Sequence, residues 1–188
     1  MADLLLVILP VFLLAGLVKG VIGLGLPTVA MGLLGVIMLP AEAAALLIVP
    51  SAVTNIWQML AGGRLGALVR RLWPMLAGSC IGTWAGGGLL ARDPTGHAGT
   101  ALGVALILYA VVGIAAPRLS LSTRREIWIG PLAGVLTGLI TAATGVFVLP
   151  AVPYLQAIGL EKEELVQALG LSFTVSTLAL AAGLARDG

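Results

Sequence analysis

Long apolar runs, broken only by glycine, proline and a scatter of charges, leave this chain one way to fold: as helices packed in a lipid bilayer. The polar–apolar alternation that a membrane barrel needs is absent, and the runs are continuously apolar. Hydrophobic residues make up 60% of the sequence and charged residues 10%, too little charge to cover a soluble domain. The 26 glycines suit helices whose backbones approach closely in lipid. Met1-Ala2-Asp3-Leu4 places no basic residue ahead of the first apolar run, so the N-terminus reads as a membrane segment and not as a cleaved signal peptide. Cys80, the single cysteine, excludes an internal disulfide and a cysteine-based metal site. The net charge of +2 calls for no nucleic-acid partner.

Charges and prolines divide the chain into apolar segments at about 4–18, 21–39, 43–60, 74–90, 99–116, 127–144, 146–159 and 165–184. Segments 43–60, 99–116 and 165–184 are long enough to cross a core of roughly 30 Å. Segments 4–18 and 146–159 would reach only about 21–23 Å. Each is joined to its neighbour by a glycine- or threonine-rich turn, so 4–39 and 127–159 read as broken or re-entrant helical hairpins. Arg64, Arg70 and Arg71 form one basic loop, and Arg118, Arg124 and Arg125 another. With two spans between them they share a side, which the positive-inside rule makes cytoplasmic. The nearly neutral loop Arg92-Asp93-Pro94-Thr95-Gly96-His97 then faces outward. Trp57, Trp73 and Trp128 lie near segment ends and read as interfacial anchors.

One stretch occurs twice. Leu14-Ala15-Gly16-Leu17-Val18-Lys19-Gly20-Val21-Ile22-Gly23 returns as Leu132-Ala133-Gly134-Val135-Leu136-Thr137-Gly138-Leu139-Ile140-Thr141, and Pro50-Ser51-Ala52-Val53-Thr54-Asn55 is matched by Leu171-Ser172-Phe173-Thr174-Val175-Ser176. The first hairpin begins and ends outside; the second starts at the cytoplasmic Arg124-Arg125 loop and returns there at Glu161-Lys162-Glu163-Glu164. The expected fold is therefore an all-α integral membrane protein built as an inverted repeat, each unit a broken hairpin followed by transmembrane helices. Residues 1–126 form the first unit (hairpin 4–39, helices 43–60, 74–90 and 99–116). Residues 127–188 form an incomplete second one (hairpin 127–159, helix 165–184), with a unit of about 120 residues. A truncated piece is expected in preference to a natural fragment.

Little here supports enzyme chemistry. No Asp, Glu or His falls well inside a predicted span, which leaves proton relays and paired-aspartate proteolysis unsupported. Glu42, just after Pro40, suits the first turn of its helix. Gly20-Val21-Ile22-Gly23-Leu24-Gly25 follows no strand and is no dinucleotide fingerprint. Lys19 is the one charge at a hairpin tip. It either contacts an anion at mid-depth or snorkels to the cytoplasmic surface, and Thr137 stands at its place in the second copy. Gly20, Gly23, Gly25 and Pro27 can break the helix and free backbone N–H groups for an oxyanion, with Thr28, Thr141, Thr144 and Gly145 adding donors. The plain alternative is tight packing by the glycines and back-bonding by the threonines. Ser51, Asn55 and Gln58 share a helix face that must look to a cavity or another helix, with Thr54 beside them and Ser172, Thr174 and Ser176 on the counterpart. Gly78, Gly82 and Gly86 read as a packing stripe.

At the hairpin tips the sequence resembles the TauE/SafE family of sulfite exporters. The residues that carry the resemblance are Gly16–Gly25 and Pro50–Gln58 in the first copy, and Gly134–Gly145, Val146-Phe147-Val148-Leu149-Pro150 and Gly170-Leu171-Ser172 in the second. Leu26-Pro27 departs from the family pattern, where further glycines are common. The resemblance implies a multi-pass carrier of the bacterial inner membrane that exports sulfite or a small organosulfonate by alternating access, driven by an ion gradient. The residues themselves give the candidate substrate contacts: Lys19, Gly20, Gly23, Gly25, Thr28, Ser51, Asn55, Thr137, Thr141, Thr144, Gly145, Ser172 and Ser176, with no cofactor and no metal expected. The lipid bilayer, the anion, a coupling ion and a homodimer are the partners to consider. The rival expectation is a non-transporting membrane subunit or scaffold.

Overall fold

A computed structural model describes residues 2–91, 93, 96–115 and 120–187. Arg92, Pro94, Thr95, Arg118 and Gly188 lie outside the described residues. The described chain is all-helical: α1 (Ala2–Ile22), α2 (Leu26–Leu34), α3 (Pro40–Leu60), α4 (Leu65–Ala85), α5 (His97–Ala115), α6 (Thr123–Thr144), α7 (Ala151–Ala157) and α8 (Lys162–Asp187). Of these, α1, α3, α5, α6 and α8 are the 5 helices long and apolar enough to cross a membrane. α4 equals α3 in length, but it begins upstream of the expected segment 74–90 and so carries Arg70 and Arg71. Trp73 therefore falls in mid-helix and not at an end.

The expected short first segment is not short. α1 runs unbroken through Lys19 and Gly20 to Ile22, 21 residues, or about 31 Å of helix. Glycine's poor helix propensity matters little where water is absent, because opening a turn would strand backbone groups in hydrocarbon. The break falls instead at Gly23 and Gly25, whose φ of 80° and 109° are left-handed values that a side chain resists. In the second hairpin α6 ends at Gly145, φ 72°, and residues 146–148 are non-helical before the short α7. Both short helices are fragments: α2 has 9 residues and α7 has 7.

Packing contacts fix the helix directions. Gly78 and Gly82 of α4, and Gly86 just past its end, lie against Pro131–Val135 and Ala142 of α6, while Gly134 and Gly138 of α6 lie against Met75, Ser79 and Thr83 of α4. Residue numbers rise together, so α4 and α6 run parallel with backbones in direct contact. A Cβ at Gly138 would overlap the Ser79 carbonyl oxygen. α3 and α8 pair antiparallel: Gly170 meets Gln58 and Met59, and Asn55 meets Thr177. Beside them Ser79 and Ser176 hydroxyls lie 3.1 Å apart, joining α4 to α8.

Polar bonds gather the loops at one end. Arg64 pairs with Glu164 at 3.1 Å. Arg71 grips Glu126 at 3.0 and 2.7 Å and donates to the Ile158 carbonyl at 2.8 Å. Gln167 donates to the Met59 and Gly62 carbonyls, each at 2.8 Å, and accepts from the Arg64 amide at 3.0 Å, closing the end of α3. At other helix starts carboxylates do this work. Glu42 accepts from the Leu39 amide, as expected, and Asp93 accepts from the His97 and Ala98 amides. The Gly23 break lies at the Arg64–Glu164 end, beside Gln58 and Val166. The Gly145 break lies at the opposite end of α3, beside Ala44 and against Met31 of α2.

The backbone contact of α4 with α6 yields a direct comparison. Gly138→Ala should cost about 1–3 kcal/mol by overpacking and lower the unfolding temperature in detergent micelles. Gly20→Ala, at a position with nothing within 4 Å of the added carbon, should leave that temperature unchanged. Equal shifts for both would contradict the packing described.

Candidate functional site

Lys19 is the group whose placement demands most of its surroundings. Its side chain is only 6% exposed although it sits on an apolar helix, so it does not snorkel to a surface. Its ammonium donates to the Asn55 side-chain oxygen and lies over the Phe173 ring, 5.9 Å from the centroid. No carboxylate lies within ion-pair distance of it among the described residues. A lysine in this position keeps N–H donors beyond the one that Asn55 receives, and these could meet an anion.

The face shared by Ser51, Asn55 and Gln58 is buried, as their spacing requires. Asn55 donates to the Thr177 hydroxyl at 3.1 Å. Gln58 ties the break to α8, donating to the Gly23 carbonyl and to the Val166 carbonyl at 2.9 Å each. Between α1 and α3 an open cleft of about 790 Å³ has Gly16, Lys19, Gly20, Gly23, Thr54 and Gln58 on its wall. Lys19, Gly20, Gly23 and Asn55 are thus brought together. Gly25 and Thr28 form the start of α2, where the Thr28 hydroxyl donates to the Gly25 carbonyl at 2.9 Å.

The second-copy residues are placed differently. Thr137, Thr141 and Thr144 each donate at 2.7 Å to the carbonyl one turn back, on Ala133, Thr137 and Ile140. Thr144 also accepts the Val146 amide at 3.1 Å, which satisfies the first broken residue. Gly145 packs on Met31 and Ala44, away from Lys19. Ser176 is engaged with Ser79. Ser51 and Ser172, the matched pair of the two copies, are each 1% exposed, and their hydroxyls have no hydrogen-bond partner.

Sequence reading missed Thr177, Phe173, Gln167 and Glu126 as structural participants. Gln167 carried a usable signal, since an amide inside an apolar run must find partners. Thr177 carried none, because a threonine that bonds back to its own helix looks the same in any context.

Asn55 and Lys19 are complementary only as a pair. Asn55→Leu should strand the ammonium and lower stability by about 2–3 kcal/mol, read by thermal unfolding in micelles. Lys19→Met combined with Asn55→Leu should recover most of that loss. Equal stability of the single and double variants would show that the ammonium does not depend on Asn55.

Residues 8–188 match the family described as sulfite exporter TauE/SafE, and the chain belongs to that family. It is a membrane protein of a transporter family, not an enzyme. No curated protein and no solved structure matches it.

Proposed function

We propose that this TauE/SafE protein is a secondary carrier that exports a small sulfur oxyanion, sulfite or a short organosulfonate, across the bacterial inner membrane. The observation that carries the reading is the buried ammonium of Lys19, held by a neutral amide at the wall of an open cleft. A tetrahedral or pyramidal oxyanion would take the place that a carboxylate would occupy in a structural ion pair. Gly20 and Gly23 leave room beside Lys19, and Gly25 and Thr28 bring the start of α2 toward the same wall. Ser51 and Ser172 offer unpaired hydroxyls along the path, with Ser176 beyond. The second-copy set Thr137, Thr141, Thr144 and Gly145 would serve the conformation open to the other side.

The architecture favours alternating access. Residues 1–126 form one repeat and 127–188 an incomplete second, inverted about an axis in the membrane plane. Support comes from the two breaks, Gly23 and Gly145, lying at opposite ends of α3, and from the glycine pairs Gly16/Gly20 and Gly134/Gly138 at matching places. The end that gathers Arg64, Arg71, Glu126 and Glu164 is assigned to the cytoplasm by its basic residues. An ion gradient would supply the driving force, and rocking of one repeat against the other would move the site between faces.

Two measurements test this. Proteoliposomes holding the protein should show saturable sulfite uptake, and Lys19→Gln should reduce it by about tenfold or more. Unchanged uptake in the variant would remove Lys19 from the site. Absence of uptake for every small oxyanion would overturn the carrier reading. For orientation, single cysteines in a Cys80→Ala background at Gly63 and Glu161 should react only with reagent on the cytoplasmic side, and one at Gly96 only from outside. Labelling of Gly63 and Gly96 from one side would refute the topology.

A further inference from the structure

A primary amide has a donor end and an acceptor end of nearly the same shape, and only the acceptor end suits an ammonium. Lys19 can therefore be held by Asn55 only while Oδ1 faces it. The structure fixes that orientation from behind. The Thr177 hydroxyl donates its single proton to the Phe173 carbonyl at 2.7 Å. Its oxygen is then an acceptor, and it receives the Asn55 Nδ2–H at 3.1 Å. The opposite end of the amide, Oδ1, is left to receive Lys19. The chain is directional at every link and runs from α1 through α3 to α8.

Burial makes this direction binding. Asn55 is 0% exposed and Thr177 1%, so water does not offer the amide a substitute partner. Turning the amide over would set its N–H groups against an ammonium and its oxygen against the Thr177 oxygen, whose one proton is already given to Phe173. Phe173 closes the chain twice, through its carbonyl under Thr177 and its ring under Lys19. That ring rests on Phe147, centroids 5.3 Å apart, in the non-helical segment after Gly145.

We infer that Thr177 is a positioning residue of the anion site: without touching substrate, it holds the Asn55 carbonyl toward Lys19 and so keeps the remaining ammonium donors aimed into the cleft. This rests on the carrier reading above. Threonine at this place would then be chosen for its hydroxyl, and serine should replace it while valine, of the same shape, should not.

The test uses the whole chain in lipid nanodiscs with two readouts. Sulfite affinity is measured by equilibrium dialysis of the radiolabelled anion. The exposure of Lys19 is measured as the rate of its acylation by a membrane-permeant amine reagent, followed by mass spectrometry. Thr177→Val should weaken sulfite binding about tenfold and change the acylation rate by a similar factor. Thr177→Ser should stay within about twofold of the parent on both. A carboxylate has two equivalent oxygens and no wrong way round, so in an Asn55→Asp background Thr177→Val should leave the acylation rate of Lys19 unchanged. A purely structural role for Thr177 would move that rate in both backgrounds. Thr177→Ala is the substitute if valine disturbs packing. If Lys19→Gln binds sulfite like the parent, the anion site itself fails. If Lys19→Gln loses binding while Thr177→Val matches Thr177→Ser, the site stands and the role given to Thr177 is wrong.

Discussion

Hydrocarbon offers no hydrogen bonds, and the breaks at Gly23 and Gly145 are shaped by that constraint. A helix may break in lipid only where other parts of the protein meet the freed groups. Gln58 takes the Gly23 carbonyl at the first break, and Thr144 takes the Val146 amide at the second. Gln167 holds the Met59 and Gly62 carbonyls and the Arg64 amide where α3 gives way to α4. Each polar side chain in these positions answers a backbone group freed at a break or a helix end. The apolar chain can therefore carry two broken hairpins without unfolding around them.

Against that background Lys19 stands out, because it answers nothing of the kind. Its charge is buried, its one side-chain acceptor is neutral, and the aromatic face of Phe173 adds only a modest attraction. A charge left without a counter-charge among the described residues is a cost to the fold. Under the carrier function proposed above, that cost is accounted for by a ligand that brings the missing negative charge and leaves again. Full neutralisation by a carboxylate would stabilise the helix pair and close the site. A neutral amide holds the ammonium in place while leaving it available.

Much of this was legible in the sequence. The apolar runs located the helices, and the spacing of Ser51, Asn55 and Gln58 gave the buried face of α3. The stripe of Gly78, Gly82 and Gly86 marked a helix contact. Less legible were the helix ends. Lys19 and Gly20 suggested a tip, yet α1 continues past them, because the energetic reason to keep a turn closed in lipid outweighs glycine's weak propensity. The reverse happened in the second hairpin, where the apolar segment 146–159 contains only the short α7. Proline and small residues there permit several backbones, and packing of Gly145 and Phe147 against other helices decides among them. Thr177 and Phe173 were invisible as participants, since their roles follow from α3 and α8 meeting antiparallel. No local pattern states that pairing.

The position of a bound anion decides whether Lys19 is its receptor. Selenite, which shares the shape and charge of sulfite, can be placed by its anomalous scattering in crystals of the protein grown in lipid. Selenium is expected in the cleft between α1 and α3, with an oxygen in hydrogen-bonding distance of Lys19 Nζ and Asn55 still facing the ammonium. Selenium bound elsewhere in the protein, with Lys19 held by Asn55 alone, would contradict it.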